Sequence, residues 1–504
     1  MAAETLDAHR VLPLEPYVDL AEYMDRGGGR ALVAARAVEP EALIGELEAS
    51  GLRGRGGAGF PTGTKWRTIA SYASAVLETS VVVNAAEGEP GTYKDRAILT
   101  ANPYAVLEGA LIAAHAMGSR SVTIATKQRF GDVVERLRAA IVELHDADWL
   151  GEVEISVFEG PDEYLYGEET ALLEALDGRP PFPRIAPPWR RGVVEVVAYD
   201  SDVTSESGLA ADVEMATPAP DNLSPPVLVD NVETIANVPP IIANGAAWFR
   251  SIGTEKSPGT IVCTLTGVVT GAIQRPSVVE VAMGTRLGDV IAQANDQIGD
   301  DVAVDDDDPE MHRVVAVMTG VSNAIVGVEQ FDTPVSYEGF AALGSGLGSG
   351  SFIIIDHRTD PVAVAAGASR FLAVESCGQC EPCKRDGLAI ADHLAKLCRH
   401  EPDALTLESI EDRLGTITRG ARCNLALQHQ VVVGSLLQRF GDRVQRHLQE
   451  SDEPTEPVLV AELLSIDGGI ETLDSSFADK QPDWTHDAVD SGRAPAERLT
   501  DHRA

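Results

Sequence analysis

Four cysteines carry the clearest chemical signal in the chain. Cys377, Cys380 and Cys383 stand in ESCGQCEPCKRDG at C-x2-C-x2-C spacing, and Cys423 follows beyond two predicted helices. Three thiols on one tight loop plus one remote thiol can enclose a 4Fe-4S cluster. Glycine and proline let that loop curl and aim amides at sulfur, which tunes a cluster's potential. Structural zinc also takes four thiolates, usually from two separated C-x2-C pairs. A redox dithiol needs only two cysteines. Cys398, in HLAKLCRH, and Cys263, in a strand-like run, read as small buried hydrophobes.

A second signal is the run GLRGRGGAGFPTGTKW at residues 51–66. Gly54, Gly56, Gly57, Gly59 and Gly63 fall within ten residues. Without Cβ atoms the backbone can approach a planar or phosphorylated ligand and turn N–H groups toward anions. Lys65 can offer phosphate a point charge, and Phe60 a ring to stack on a base. The pattern is neither G-x-G-x-x-G after a strand nor a Walker A loop. On physics alone it is a cofactor loop or a flexible surface turn.

The elements that must position these groups follow from pattern. Between residues 20 and 240, β-branched runs at 81–83, 122–125 and 153–157 alternate with helical segments at 103–117 and 131–144. That alternation predicts an α/β unit with a parallel sheet. Residues 194–224, rich in Ser, Asp and Pro, read as an inserted loop. From residue 259, short strand-like segments surround one helical pattern at 287–298, as in a small mixed β domain. The four-aspartate run within 300–310 reads as a solvated loop, since it lacks the spacing and turn glycine of a calcium loop. From residue 361, helices are expected at 363–376, 385–400, 407–420 and 425–449, making a bundle. The expected division is 1–245, 246–340, 341–450 and an acidic extension at 451–504. The extension, which includes ELLSIDGGIETL, is expected to be ordered against a partner or partly disordered.

Length and charge bound the rest. The 504 residues suggest about three domains. Lys+Arg is 40 and Asp+Glu is 78, a formal net charge of −38. Such acidity opposes nucleic-acid binding, which needs clustered cations, and opposes anionic membrane surfaces. The N-terminus lacks the basic and apolar regions of a secretory signal. No apolar run reaches the ~18 residues of a membrane span. The expected location is cytoplasmic, with a peripheral place on a membrane complex left open. Six cysteines make no disulfide framework.

Five segments occur in order: SGLRGRGGAGFPTGTKW, NAAEGEPGTYKDR, YGEETALLEALDGR, NVETIANVP and ESCGQCEPCKRDG. Together they resemble the NADH-binding flavoprotein subunit of respiratory complex I and its soluble relatives in NAD-linked formate dehydrogenases and hydrogenases. The resemblance spans about residues 45–440. It implies a Rossmann-like FMN- and NADH-binding domain, a β-grasp-like domain and a helical bundle with a 4Fe-4S cluster on Cys377, Cys380, Cys383 and Cys423. Residue by residue, it implies that Gly54, Arg55, Gly56, Gly57 and Lys65 hold FMN. Asn84, Glu87, Gly167, Glu168, Asp230, Asn231 and Thr234 would line the flavin. Phe60 would stack on the adenine of NADH, Glu169 would sit by the nicotinamide, and Glu89 would accept hydrogen bonds from the adenosine ribose. A carboxylate at the ribose repels a 2′-phosphate, so NADH is expected over NADPH.

The chain also departs from the family. Ala86 stands for a usual Asp, Ala186 for a Lys, Asp230-Asn231 for an Asn pair, and Arg422-Cys423-Asn424-Leu425 is unusual. These departures, with the 194–224 insertion and the acidic tail, favour the diaphorase subunit of a soluble multi-subunit dehydrogenase. The alternatives are the complex I subunit itself and a non-catalytic subunit with a degenerate nucleotide site. Expected partners are iron–sulfur subunits: a thioredoxin-like 2Fe-2S chain and a catalytic or multi-cluster chain. An acidic protein that binds FMN and NADH needs a local basic exception, expected at Arg53, Arg55, Lys65 and Arg67 around the glycine loop.

Overall fold

A computed structural model describes residues 9–499 except 74–76, 186–189, 191–194, 199–211, 216–224, 268–275, 297–313, 404 and 452. Ala186 and the 300–310 aspartate run therefore lie outside the described residues. Of the predicted insertion only β4 (Glu195–Ala198) and β5 (Asp212–Met215) are described before residue 225, as an antiparallel pair.

Apolar β-branched runs form a parallel sheet from β1 (Ser80–Ala85), β2 (Ser121–Lys127), β3 (Glu154–Gly160) and β6 (Val227–Asn231), in the order β3-β2-β1-β6. Val81, Val82 and Val83 of β1 are fully buried, as expected of a strand covered on both faces. The Pro103–Met117 helix lies across it with nearly every residue buried. Asn102 caps its start, accepting from the Ala105 N–H, and Gly118 ends it in the left-handed region at φ 61°. The amphipathic Gly131–Asp146 helix buries Val133, Val134, Leu137, Ala140 and Leu144. Sequence reading missed β6, whose short apolar run VLVD follows the inserted loop.

A second sheet joins β7 (Thr260–Thr266), β8 (Ser277–Ala282), β9 (Val314–Met318), β10 (Val326–Gly327) and β11 (Ser351–Asp356) in the order β10-β9-β11-β7-β8. The central β11 and β7 run parallel and the outer pairings are antiparallel. The Leu287–Asp296 helix supplies Leu287, Val290 and Ile291 to a core shared with Ile261, Cys263, Leu265 and Phe352. The C-terminal helices are Pro361–Glu375, Glu381–Cys398, Thr406–Leu414, Leu425–Arg439 and Gly441–Leu448. The single helix expected at 425–449 breaks at Phe440, which sits at φ −108°, ψ 34° before a glycine. Cys263 and Cys398 are both wholly buried, as the apolar reading expects.

The acidic extension is ordered on this chain itself. It runs as β12 (Leu463–Asp467), β13 (Ile470–Leu473) and a short Pro495–Leu499 helix. Glu462 pairs with buried Lys127 at the end of β2, and Asp474 with Arg129 at 2.5 Å. Arg96 donates to the carbonyls of Leu463 (2.6 Å) and Leu464 (3.2 Å). Among the described residues no single helix is long and apolar enough to cross a membrane.

The Lys127–Glu462 pair yields a stability prediction. Removing one partner of a buried ion pair strands the other charge, so Lys127→Met should cost ~3–5 kcal/mol. A urea midpoint unchanged from wild type would show that the pair holds nothing.

Candidate functional site

Strand order locates the first crevice. The chain builds β1, β2 and β3 outward in one direction, then returns to place β6 on the other side of β1. Ligands in open parallel sheets bind beyond the carboxyl ends of the strands where the order reverses. Here that point lies between β1 and β6, where Asn84 and Asn231 are register partners. The predicted lining residues gather around it. Asn84 donates to the Gly167 carbonyl at 2.9 Å and accepts from the Ala86 N–H at 3.1 Å. A Cβ on Gly167 would lie 2.9 Å from the Ala86 carbonyl oxygen, and one on Gly56 would lie 3.2 Å from the Asn231 Cβ. Close approach of backbone therefore requires the glycine at 167 and leaves little room for a side chain at 56. The glycine loop is a folded hairpin: Arg53 bridges Pro61, and the Gly54 N–H donates to the Phe60 carbonyl at 2.8 Å. Phe60 stands at its tip, 54% exposed.

Charges at the crevice are paired. Lys65 Nζ lies 3.0 Å from Glu169, donates to the Val229 carbonyl at 2.6 Å, and is 3.9 Å from Asp230. Burial works to lower its pKa, but Glu169 and Asp230 overcome this and hold it above the ordinary lysine value. Burial pushes the Asp230 carboxyl up to about 6, against Lys65 and the Trp66 Nε1–H, which donates to it at 2.7 Å. Glu168 caps the Glu169–Leu176 helix, accepting from the Thr170 and Ala171 amides. Glu87 receives the Asp95 amide (3.0 Å) and the Arg96 Nε–H (2.9 Å).

Arg55 reaches this crevice only through its backbone. Its N–H donates to Thr234 Oγ1 at 2.8 Å, while its guanidinium is buried 3.9 Å from Glu233 and points to the Pro258 carbonyl. Glu233 also pairs with buried Lys94 at 3.1 Å, and Lys94 with Asp95 at 2.6 Å. Asn231 donates to Asp95 at 2.7 Å and accepts from Lys94 at 3.2 Å. Glu89 is only partly buried. Its carboxylate accepts from Tyr164 OH (2.6 Å), the Val321 amide (2.7 Å) and Ser322 Oγ (2.5 Å). Burial raises its pKa and those three bonds oppose the rise.

The second pocket holds the thiols. Cys377, Cys380, Cys383 and Cys423 line one pocket together with Leu165, Pro183, Ala421, Leu425 and Ala426. Ser376 Oγ is 3.3 Å from the Cys383 sulfur, and Gln379 Nε2 is 3.5 Å from that of Cys377. Gly378 turns the loop at φ +79°. Burial raises all four thiols, Cys380 to about 12 and Cys383 to about 11, with neighbouring sulfurs adding to the rise at Cys380, Cys383 and Cys423. Such thiols ionise only when a metal centre takes them. Among the described residues no three His, Cys, Asp or Glu side chains converge tightly enough for a single metal ion. Four thiols lining one pocket, three of them from a single loop, are a donor set that fits a 4Fe-4S cluster.

The two pockets share a wall. Leu165, on the cluster cavity, and Gly167, at the flavin crevice, belong to the same 3-10 turn, Tyr164–Gly167. Two residues of chain span at most about 7 Å. Sequence reading missed Tyr164, Lys94, Asp95, Glu233 and Glu375. Four of these lie within the quoted motifs and Tyr164 just before one, but nothing local shows that they are buried and paired.

Comparison with known proteins agrees with both pockets. Residues 47–240 match the Nuo51 FMN-binding domain, and residues 363–447 match the NADH-ubiquinone oxidoreductase-F iron-sulfur binding region. Neither match extends past residue 447. The F-type subunit of NADH-quinone oxidoreductase from Mycobacterium tuberculosis is 32% identical over 441 residues, covering 85% of this chain and 90% of that protein. The protein of the same name from Streptomyces coelicolor is 32% identical over 443 residues, covering 86% and 89%. The crystal structure of a NAD+-reducing NiFe-hydrogenase in the H2-reduced state superposes with a TM-score of 0.69 at 30% identity. It covers 87% of this chain and 68% of that one.

Two substitutions test the geometry. Cys423→Ala should abolish the cluster's visible absorbance and lower bound iron, whereas Cys398→Ala should leave iron content unchanged. Equal iron in both variants would remove Cys423 from the ligand set. Gly167→Ala should lower the flavin content of purified protein at least several-fold, because the added methyl must displace the Ala86 carbonyl.

Proposed function

The chain belongs to the F-type subunit family of NADH-quinone oxidoreductases, and from that premise we propose how its own residues serve the transfer of electrons between NAD(H) and a 4Fe-4S cluster through FMN. The observation that carries the reading is the single turn walling both pockets. Bound FMN and the cluster supply the chemistry, in which a hydride's two electrons travel together on the nucleotide side and singly on the cluster side.

The protein's part is orientation and insulation. Gly54, Gly56 and Gly57 let backbone amides approach the flavin, and Gly167 with Asn84 closes the opposite wall. Lys65 would offer its charge to an anionic cofactor, and Glu169, Asp230 and the Val229 carbonyl hold it in place. Thr234 fixes the Arg55 amide. Glu87, Glu168 and Asn231 act chiefly as anchors, since their side chains are spent on amides, Arg96 and Asp95. Glu169 is the carboxylate assigned to the nicotinamide end. Phe60 offers its exposed ring to the adenine. Glu89 stands as the ribose acceptor, held still by Tyr164, Val321 and Ser322.

The strand order β10-β9-β11-β7-β8, with a parallel central pair, supports the β-grasp-like reading of the middle unit. The division at 245, 340 and 450 and the cytoplasmic location stand as proposals of the same kind. The chain works as one subunit of a larger oxidoreductase. Both a soluble dehydrogenase and complex I fit its two pockets, and the insertion and ordered acidic extension favour the soluble assembly. A non-catalytic subunit is the second reading. It rests on Ala86, which is buried among Val82, Tyr166 and Leu172 where a carboxylate would be costly.

Protein reconstituted with FMN and iron should reduce ferricyanide with NADH. A folded chain that takes up no flavin and shows no such activity favours the structural reading. Glu89→Gln should shrink the preference for NADH over NADPH, measured as the kcat/KM ratio, by about tenfold. An unchanged ratio would remove Glu89 from the ribose.

A further inference from the structure

Residues 453–499 lie beyond both family matches, yet they touch the supports of both pockets. Lys480 and Glu375 are almost wholly buried, with Lys480 Nζ 2.6 Å from Glu375 Oε1. The other oxygen of Glu375 accepts the Tyr164 N–H at 3.0 Å. Tyr164 opens the shared turn, and its hydroxyl donates to Glu89. The rings of Phe477, Phe371 and Tyr164 pack in a row, with centroids 5.0 and 5.3 Å apart. Glu375 also ends the helix that leads directly into Ser376 and Cys377. On that side Trp484 Nε1 donates to the Val374 carbonyl at 3.0 Å, and the Ala496 N–H donates to the Cys377 carbonyl at 2.8 Å.

We propose that the C-terminal segment is a positioning element for both cofactor sites, acting through the Lys480–Glu375 pair. This rests on the electron-transfer reading above. Glu375 is one carboxylate with two duties. One oxygen fixes the turn that carries Leu165, Gly167 and, through Tyr164, Glu89. Its helix fixes the start of the cysteine loop. Lys480, 2.6 Å away, is what holds that carboxylate in place. Without the ammonium, Glu375 loses the partner that aims it at the Tyr164 N–H, and both pockets lose a support at once. Lys480 and Phe477 act through Glu375 and Phe371, and Ala496 acts through the Cys377 backbone carbonyl, so all three are positioning residues.

The test compares Lys480→Met and Lys480→Arg in the full chain reconstituted with FMN and iron. The readouts are NADH KM and kcat with ferricyanide, and the rate of iron loss in air. Lys480→Met should raise the NADH KM about tenfold with kcat within about twofold. It should also speed iron loss several-fold in the same sample, and Lys480→Arg should restore both. A second pair stands in if Lys480→Met fails to fold. A methyl in Gly378→Ala would lie 2.3 Å from the Ala494 Cβ, pushing the segment off the cysteine loop on top of a backbone strain at φ +79° that the double variant shares. Adding Ala494→Gly leaves the next atom at 3.5 Å, so the double variant should retain iron better than the single one. A folded Lys480→Met protein that changes neither readout, or only one, overturns the proposal, as does a double variant with no recovery of iron. A wild-type chain that oxidises no NADH overturns the electron-transfer reading instead, while the iron-loss arm still reads on the segment.

Discussion

Four residues, Tyr164–Gly167, have to wall two pockets at once, and the surrounding structure is built to hold them still. A 3-10 turn is a poor candidate for rigidity on its own, since its hydrogen bonds are badly aligned and its runs are short. Here it is gripped from outside. Asn84 takes the Gly167 carbonyl, Glu375 takes the Tyr164 amide, and Glu89 takes the Tyr164 hydroxyl. The grips come from the end of β1, the end of the helix that precedes the cysteine loop and the loop that follows β1. Displacing any one of them moves the flavin wall and the cluster wall together.

Below the crevice lies a cluster of buried charges: Arg55, Glu233, Lys94, Asp95, Glu87 and Arg96. Burying ions costs several kcal/mol each before pairing returns it, so such a cluster is a poor way to add stability. What it adds is position. Glu233 receives the Val262 amide of the second sheet at 2.8 Å and faces Arg55 of the glycine loop. Arg96 donates to two carbonyls of the C-terminal hairpin. Hydrophobic surfaces slide over one another with small energy differences, whereas a buried ion pair fails when displaced by an ångström. The network fixes the two sheets, the glycine loop and the extension in one register around the cofactor crevice.

How much of this is legible in sequence depends on range. The Pro103–Met117 helix announces itself through Asn102, Pro103 and Gly118, all local signals, and the structure follows it to the residue. The cysteine spacing names a cluster because three ligands share one loop. By contrast, nothing local marks Lys94, Arg96 and Lys127 as buried, since their partners Glu233, Glu87 and Glu462 meet them only once the chain is folded. The extension reads as acidic and weakly apolar, which fits disorder. Its order comes from a few buried anchors, Phe477, Lys480 and Trp484, each matched to a site on a distant helix.

The same range problem corrects the expected basic exception at the glycine loop. Of its four cations, Arg67 is exposed and bonds to Glu41 and Glu48. Arg53 bonds the Gly59 carbonyl and lies over the Tyr337 ring, and Arg55 is buried against Glu233. Only Lys65 reaches the crevice, between two carboxylates. A chain of net charge −38 thus meets anionic cofactors without a free patch of cations at this loop. The remaining source of positive potential is the backbone, whose amides in a glycine-rich loop form an anion-receptive concavity independent of side-chain charge. That assigns the glycines an electrostatic role as well as a steric one. It also explains why the loop's arginines can be spent on holding its shape.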